Sequence, residues 1–475
     1  MLIRQLMDDK LAQYAFLVGC QRTGEALLVD PERDVDRYLE AAEREGLRIV
    51  AVAETHIHAD FLSGARELVA RIPGIRLFLS AEGGDQWQYE WPQRDGANVT
   101  WLCDGTTFEV GNIAFRAWHT PGHTPEHMSF VVTDRGAGTT NAMGLLTGDF
   151  VFVGDLGRPD LLESAAGIAG MMEPSARRLY ASTRRLLALP DYLQVWPGHG
   201  AGSACGKALG AVPTTTIGYE RRVSPAIAAS DRGEQAFVDF ILADQPEPPL
   251  YFARMKRLNQ AGPPVLGNLP VPRRLDTSDL GELARTTPVQ IIDTRCDRRA
   301  FLAAHVPGAL HAPLNRTFPT IIGSLVDPER PIVLLVDAGR LDEAVRDLIR
   351  IGYDSIQRWM PPPSVDEMRR SGVTPATIPS IDFAEFERRR RRAPLAILDV
   401  RGAREYNARH LPGAINIAHT RLRAKASEIP ATRPLYVHCQ SGARAAAAAA
   451  FLAAQSISVV AVDDVFLPAP VEAVS

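Results

Sequence analysis

Two imidazoles and a carboxylate leave the chain together at Thr55-His56-Ile57-His58-Ala59-Asp60, and residues of those types at that spacing are a metal-ligating set. Histidines two residues apart face one point only on a bent loop. The carboxylate adds the hard oxygen donor that zinc or iron accepts beside nitrogen. A lone histidine would serve packing; three potential ligands within five residues favour a metal. The flanks supply the bend. Leu47 to Ala53 is a nearly unbroken apolar run rich in β-branched residues, hence a buried strand, after which Phe61, Ala65, Leu68 and Val69 fall at helical spacing. The motif therefore sits on a strand-to-helix turn.

The arrangement recurs. Ile113 to Trp118 runs into His119-Thr120-Pro121-Gly122-His123-Thr124-Pro125-Glu126-His127, Leu145 to Thr147 into Gly148-Asp149, and Leu193 to Trp196 into Pro197-Gly198-His199-Gly200. Ligands gathered from four strand ends onto one edge of a sheet sandwich make a rigid cup, whereas core histidines would not repeat the placement. In this order HxHxD, PGHT, TGD and PGHG resemble the metallo-β-lactamase superfamily over roughly residues 1–260. The resemblance implies an αββα sandwich.

Hydrolytic branches of that superfamily, such as the glyoxalase II type, extend the first motif to HxHxDH and hold a second metal there. Phe61 occupies that position here, and an aromatic ring cannot coordinate. What remains resembles the persulfide dioxygenase branch, and that resemblance implies one ferrous iron per domain held by His56, His123 and Asp149. This two-His, one-carboxylate triad leaves positions open for oxygen chemistry. It further implies a low-molecular-weight persulfide such as glutathione persulfide and dioxygen as substrates, sulfite as product, and His58, Asp60 and His199 orienting the ligands by hydrogen bonds. His58 also stands as a further ligand. Arg221, in Thr216-Ile217-Gly218-Tyr219-Glu220-Arg221, aligns with the arginine that this branch places on the thiol carrier; its other reading is a solvated surface arginine. The competing reading of the chain is a zinc thioester hydrolase of glyoxalase II type with an accessory sulfurtransferase.

Neighbouring residues receive plainer expectations. Arg158 is read as an ion-pair residue supporting the site, and His119 and His127 as loop hydrogen-bonders. Cys205 admits two readings, a thiol that Lys207 biases toward thiolate near the persulfide site, or a small buried residue as expected of Cys20 and Cys103.

Beyond a Pro- and Gly-rich linker at residues 261–274, the chain repeats itself. Ile291-Ile292-Asp293-Thr294-Arg295 and His305-Val306-Pro307-Gly308-Ala309 are echoed just over 100 residues later by Ile397-Leu398-Asp399-Val400-Arg401 and His410-Leu411-Pro412-Gly413-Ala414. Alternating strands and helices predict a small parallel α/β sheet in each copy, at 275–365 and 376–475. The DxR and H(V/L)PGA motifs resemble rhodanese domains. In the second copy Cys439-Gln440-Ser441-Gly442-Ala443-Arg444 places a thiol in a tight loop at a helix N-terminus, where loop amides, the helix dipole and Arg444 favour a thiolate and then a persulfide. Asp337 stands at the corresponding place in the first copy, which is read as a structural spacer with Cys296 as a packing residue.

Composition narrows the rest. A chain of 475 residues, 46% hydrophobic and 23% charged with a formal net charge of −4, describes several globular cores and no field that would argue for nucleic acid or an anionic membrane. The basic run Arg388 to Arg392 is read as a helix end and Ala445 to Ala450 as a packed helix. No apolar run approaches a membrane span, and the N-terminus lacks a secretion signal. Five scattered cysteines fit a reducing compartment. The expectation is a cytoplasmic α/β multidomain enzyme acting on persulfide, dioxygen and sulfite or thiosulfate, with homo-oligomerisation left open.

Overall fold

The computed structural model describes residues 1–164, 170–283 and 289–466. The chain forms two compact units, Met1–Leu269 with the short segment Ile349–Gly352, and Pro270–Leu348 with the chain from Tyr353 onward.

In the first unit, strands β1 (Leu2–Asp8), β2 (Gln13–Cys20), β3 (Glu25–Val29), β4 (Arg48–Ala53), β5 (Arg76–Ser80) and β6 (Asn98–Leu102) form one sheet in sequence order. The second sheet runs backwards through β12 (Thr215–Thr216), β11 (Gln194–Pro197), β10 (Gly144–Gly148), β9 (Met128–Asp134), β8 (Ile113–His119) and β7 (Thr107–Val110). Side-chain alternation makes three layers of core. On β2, Phe16 and Val18 face the second sheet, meeting Phe115, Phe130 and Trp196, while Ala15 and Leu17 pack outward against Tyr38 and Leu68 of the helices Asp36–Arg44 and Ala65–Arg71. Every residue of β2 is buried because both of its faces are covered. Leu179, Leu186, Phe237 and Ile241 cover the outer face of the second sheet. The result is the expected αββα sandwich.

Strand direction then gathers the motifs. β8 and β10 are each antiparallel to β9, and β11 is parallel to β10, so β8, β10 and β11 all end at one edge.

The Pro- and Gly-rich segment is tied down rather than free. Arg66 donates to the carbonyls of Gly262 and Pro263 at 3.0 and 2.8 Å, Arg33 donates to that of Pro264, and buried Glu67 accepts from the amides of Leu266 and Gly267. Its far end is already a strand, β13 (Arg273–Arg274), so the next sheet starts before the expected boundary at 275. Side chains of the sandwich thus supply the pairing that a solvated linker would have found in water.

In the second unit, β13 joins β14 (Gln290–Asp293), β15 (Leu310–His311), β16 (Ile332–Leu335) and β17 (Ile356–Met360) in the order 13-17-16-14-15. β18 (Ser380–Ile381), β19 (Ala396–Asp399), β20 (Ile415–Asn416), β21 (Leu435–His438) and β22 (Val459–Val462) follow in the matching order 18-22-21-19-20. Both sheets are parallel throughout, as a duplication of one α/β unit requires. The alanine run lies in the buried helix Ala443–Ala454, and the arginine run closes the helix Phe383–Arg392, where Glu385 and Glu387 pair with it. The end of the expected last domain, 467–475, lies outside the described residues.

Candidate metal centre and sulfur-transfer loop

One donor atom each from His56, His123 and Asp149 lies within 4.8 Å of the others, and all three residues are buried. They come from the turns after β4, β8 and β10. Neighbouring groups decide which ring nitrogen each histidine offers. The Thr55 hydroxyl donates to Asp30 at 2.8 Å and so accepts from His56 Nδ1 at 2.9 Å, which leaves His56 Nε2 bare. His123 Nδ1 donates to the Arg158 carbonyl at 3.1 Å, leaving its Nε2 bare as well. Asp149 Oδ2 has no hydrogen-bond partner. Burial pushes both imidazoles down from their ordinary pKa, His56 furthest because His58 adds repulsion, so both are neutral, the metal-binding form. Two bare imidazole nitrogens and an unpartnered buried carboxylate oxygen fit a divalent cation, since none would otherwise be satisfied.

Close approach depends on glycine. Gly148 has φ of 48°, and a Cβ there would lie 2.5 Å from Thr55 Oγ1. A Cβ on Gly157 would lie 1.8 Å from the Asp149 carbonyl.

The other motif residues have different partners. His58 Nε2 lies 3.1 Å from Asp30 and 3.0 Å from Glu54, while its Nδ1 has no partner. Burial opposes its charge, but Asp30 and then Glu54 outweigh burial and hold the pKa well above its ordinary value. His199 donates through Nδ1 to the Ala12 carbonyl at 3.1 Å and directs Nε2 at Asp60 and Asp149, 3.2 and 3.5 Å away. Here too burial opposes the charge and the carboxylates, Asp149 foremost, win. Asp60, His199 and Cys205 form a second buried group able to hold a cation, and Asp30, Glu54 and His58 a third. Phe61 is fully buried, its ring 4.3 Å from that of His58.

The outlying residues have partners of their own. Arg221 donates to the carbonyls of Leu187 and Leu189, just past the helix Met172–Leu186, and pairs with Asp191 at 3.1 Å. A guanidinium suits unpaired terminal carbonyls, which sequence alignment alone does not reveal. Lys207 is turned from Cys205, its Nζ donating to the carbonyls of Phe240 and Ala243. The Cys205 thiol is instead pushed up to about 12, by burial and then by Asp60 and Asp149. Cys20 is buried as expected, but Cys103 and Cys296 are exposed. Arg158 is the expected support, fully buried and forked onto Asp160 at 2.8 and 2.6 Å. His119 and His127 hydrogen-bond within the loops, His127 Nε2 accepting from the Asp149 amide at 3.1 Å.

In the second unit Cys439 follows β21 directly and is buried, and the loop Gln440 to Gly442 leads into the helix Ala443–Ala454. Arg444, in the first turn of that helix, forks onto Glu405 at 2.5 and 2.7 Å. In the first copy the loop is a single 3-10 turn, Ala338–Arg340, after Asp337.

A family model of the metallo-beta-lactamase superfamily matches residues 8–199, and one of the rhodanese-like domain matches residues 382–466. The crystal structure of a metallo-beta-lactamase from Staphylococcus aureus subsp. aureus COL is 39% identical and superposes with a TM-score of 0.69, covering 76% of this chain and 99% of that one. The chain belongs to the metallo-β-lactamase superfamily. Among superfamily members, the mitochondrial persulfide dioxygenase ETHE1 of Bos taurus is 27% identical over 238 residues, 48% of this chain and 77% of that protein. A hydroxyacylglutathione hydrolase of Nitrosococcus oceani is 31% identical over 202 residues, 42% of this chain and 66% of that protein. The protein is thus a metallo-β-lactamase-fold domain fused to two small parallel α/β sheets consistent with tandem rhodanese-like domains, and it is related to ETHE1-type persulfide dioxygenases. Among the described residues, no helix is long and apolar enough to cross a membrane.

In this superfamily member, sequence reasoning missed the groups that hold the first motif in shape. Tyr89 donates to the His56 carbonyl at 2.8 Å, and Glu126 accepts from the Ile57 amide at 2.9 Å. Buried Asn259, from the helix Phe252–Ala261, donates to the carbonyls of His58 and Phe61 at 2.8 and 2.7 Å and accepts from the Ser63 amide at 2.9 Å. Glu126 lies inside the second motif, so its carboxylate was visible in sequence, whereas Tyr89 and Asn259 lie far from either motif. Asn259→Ala strands three buried backbone groups, so it is expected to destabilise the first unit by about 3 kcal/mol. Calorimetry should show that unit's transition moving to lower temperature, and an unmoved transition would remove Asn259 from this role.

Proposed function

We propose that the chain is an iron-dependent persulfide dioxygenase coupled to a sulfurtransferase. One ferrous ion per sandwich domain would be held by His56, His123 and Asp149, and a low-molecular-weight persulfide such as glutathione persulfide would be converted with dioxygen and water to thiol and sulfite. The observation that carries this reading is the triad itself, two imidazoles with bare Nε2 atoms and one unpartnered carboxylate oxygen, while His58 spends its Nε2 on Asp30 and Glu54. Such a set favours ferrous iron with free positions over a closed structural site. When bound, the iron would supply the redox chemistry that joins dioxygen to the persulfide sulfur.

The chain's own residues do the rest. Asp30, through Thr55, and the Arg158 carbonyl hold the two imidazoles in one tautomer and orientation. Asp60 and His199 form a buried ion pair beside Asp149, and Phe61 withholds the donor that a hydrolase's second metal would need. In the second unit the Cys439 thiolate takes the outer sulfur of thiosulfate while sulfite departs with the S–S bonding pair. In the other direction the Cys439 thiolate takes the terminal sulfur of a second low-molecular-weight persulfide while the thiol departs with the S–S bonding pair; sulfite then attacks the terminal sulfur of the Cys439 persulfide and the Cys439 thiolate leaves, giving thiosulfate. Sulfite made at the iron would thereby be consumed at Cys439.

Metal analysis of anaerobically purified protein, combined with oxygen uptake on glutathione persulfide, tests the reading. About one iron per chain with persulfide-dependent uptake is expected. Stoichiometric zinc with hydrolysis of S-lactoylglutathione and no such uptake would replace it with the thioester hydrolase. Two metals per chain, the second bound through Asp60, His199 and Cys205, would overturn the single-ion site.

A further inference from the structure

The copy with Asp337 in place of the loop cysteine touches the loop that has one. Its helix Arg298–Ala303 begins at Asp297, whose carboxylate accepts from the amides of Arg299 and Ala300 at 3.0 Å each, so the first two side chains of that helix are held in place. Both reach into the second copy. Arg298 Nε donates to Asp463 Oδ1 at 2.6 Å and its terminal nitrogen to the Ser441 carbonyl at 3.2 Å; Arg299 Nε donates to Asp463 Oδ2 at 2.9 Å. Asp463 is packed on Gly442, where a Cβ would lie 2.2 Å from its Oδ1, and Gly442 has φ of 85°. The loop thus turns on a left-handed glycine wedged by an aspartate that two arginines of the other copy hold.

Glu405 is the third residue of the helix Ala403–Ala408, the second copy's counterpart of Arg298–Ala303. Glu405 holds the loop from its own copy through Arg444, and Arg299 holds it from the other through Asp463. Equivalent helix starts therefore grip the Cys439 loop from two sides.

We infer that the first rhodanese-like copy is a positioning half of the Cys439 site, with Arg298 fixing the Ser441–Gly442 peptide through the Ser441 carbonyl and Asp463. In a trans peptide the N–H points opposite to the C=O. A Ser441 carbonyl held toward the first copy therefore keeps the Gly442 amide directed into its own loop, where amides stabilise a sulfur anion. Arg298 is a positioning residue, since its hydrogen bonds go to Asp463 and a backbone carbonyl. The inference rests on the proposal that Cys439 carries sulfane sulfur.

The test uses the full-length chain with thiosulfate as donor and cyanide as acceptor. Arg298→Ala is expected to lower kcat about tenfold, less than the loss from removing a direct amide donor, with KM for thiosulfate unchanged. Arg298→Lys should recover most of the rate, since an ammonium still pairs with Asp463. The double variant Arg298→Ala with Asp463→Asn should be no slower than the worse single variant, because the two act as one unit. Hydrogen exchange at Gln440 to Ala443 should quicken in step with the loss of kcat. Unchanged kcat in Arg298→Ala, a raised KM with kcat intact, or additive losses in the double variant would overturn the inference. Should Arg298→Ala abolish the second unit's thermal transition, Arg298→Lys and Asp463→Asn carry the same comparison. No transfer by the unsubstituted chain would instead sink the sulfurtransferase reading, and this inference with it.

Discussion

His123→Ala is expected to remove the bound iron and to lower persulfide-dependent oxygen uptake by more than about a hundredfold, beyond the 10- to 100-fold that loss of an outer hydrogen-bond partner costs at metal sites. The reason is geometric. His123 Nε2 is one of two bare imidazole nitrogens in the cluster, and its orientation is set by one bond, Nδ1 to the Arg158 carbonyl. Thr55→Val supplies the graded comparison. It keeps the side-chain shape but breaks the chain from Asp30 through the hydroxyl to His56 Nδ1, so a smaller loss of iron affinity is expected, about 10- to 100-fold. Iron content and oxygen uptake measured on the same preparations decide the matter. Sulfite production that survives His123→Ala would end the triad assignment, and equal effects of the two variants would show that the triad tolerates loss of a ligand no worse than loss of its support.

Cys439→Ser should reduce sulfur transfer from thiosulfate to cyanide by about 10⁴-fold or more, as expected when a nucleophile is removed. Oxygen uptake on glutathione persulfide should stay at the unsubstituted rate, because the cluster of His56, His123 and Asp149 is built wholly from the first unit. Products discriminate further. With Cys439 present, oxidation of persulfide should yield thiosulfate; with serine, sulfite should accumulate in its place. Thiosulfate formation that survives Cys439→Ser would break the proposed coupling while leaving the dioxygenase intact. Loss of both activities together would mean that the two sites are not separable in the way proposed.

Much of the architecture was legible because it is written in local pattern. Apolar runs ending in His or Asp announced the strand ends, and the repeat of Asp293 and His305 at Asp399 and His410 announced two copies of one small sheet with the same strand order. Glycines beside the ligands were visible too, though only contact distances explain Gly148 and Gly157. What local pattern cannot carry is direction. The stretch around Arg221 gives no sign that its guanidinium meets the carbonyls of Leu187 and Leu189. Lys207 lies two residues from Cys205 and still turns away to Phe240 and Ala243.

The sequence by itself determined the fold class, the tandem duplication, the aspartate in place of the loop cysteine in the first copy and the residues that gather in the candidate metal cluster. All of these follow from residue type and spacing along one chain. Only the tertiary structure decided which ring nitrogen each histidine presents and that His58 answers to Asp30 and Glu54. It alone showed that Asn259 closes the first motif from about 200 residues away, and that Arg298 of the first copy hydrogen-bonds to the Cys439 loop. Hydrogen bonds between distant segments are fixed when strands and helices pack, and a buried polar group must then take whichever partner the packing brings. No spacing rule along the chain encodes that choice.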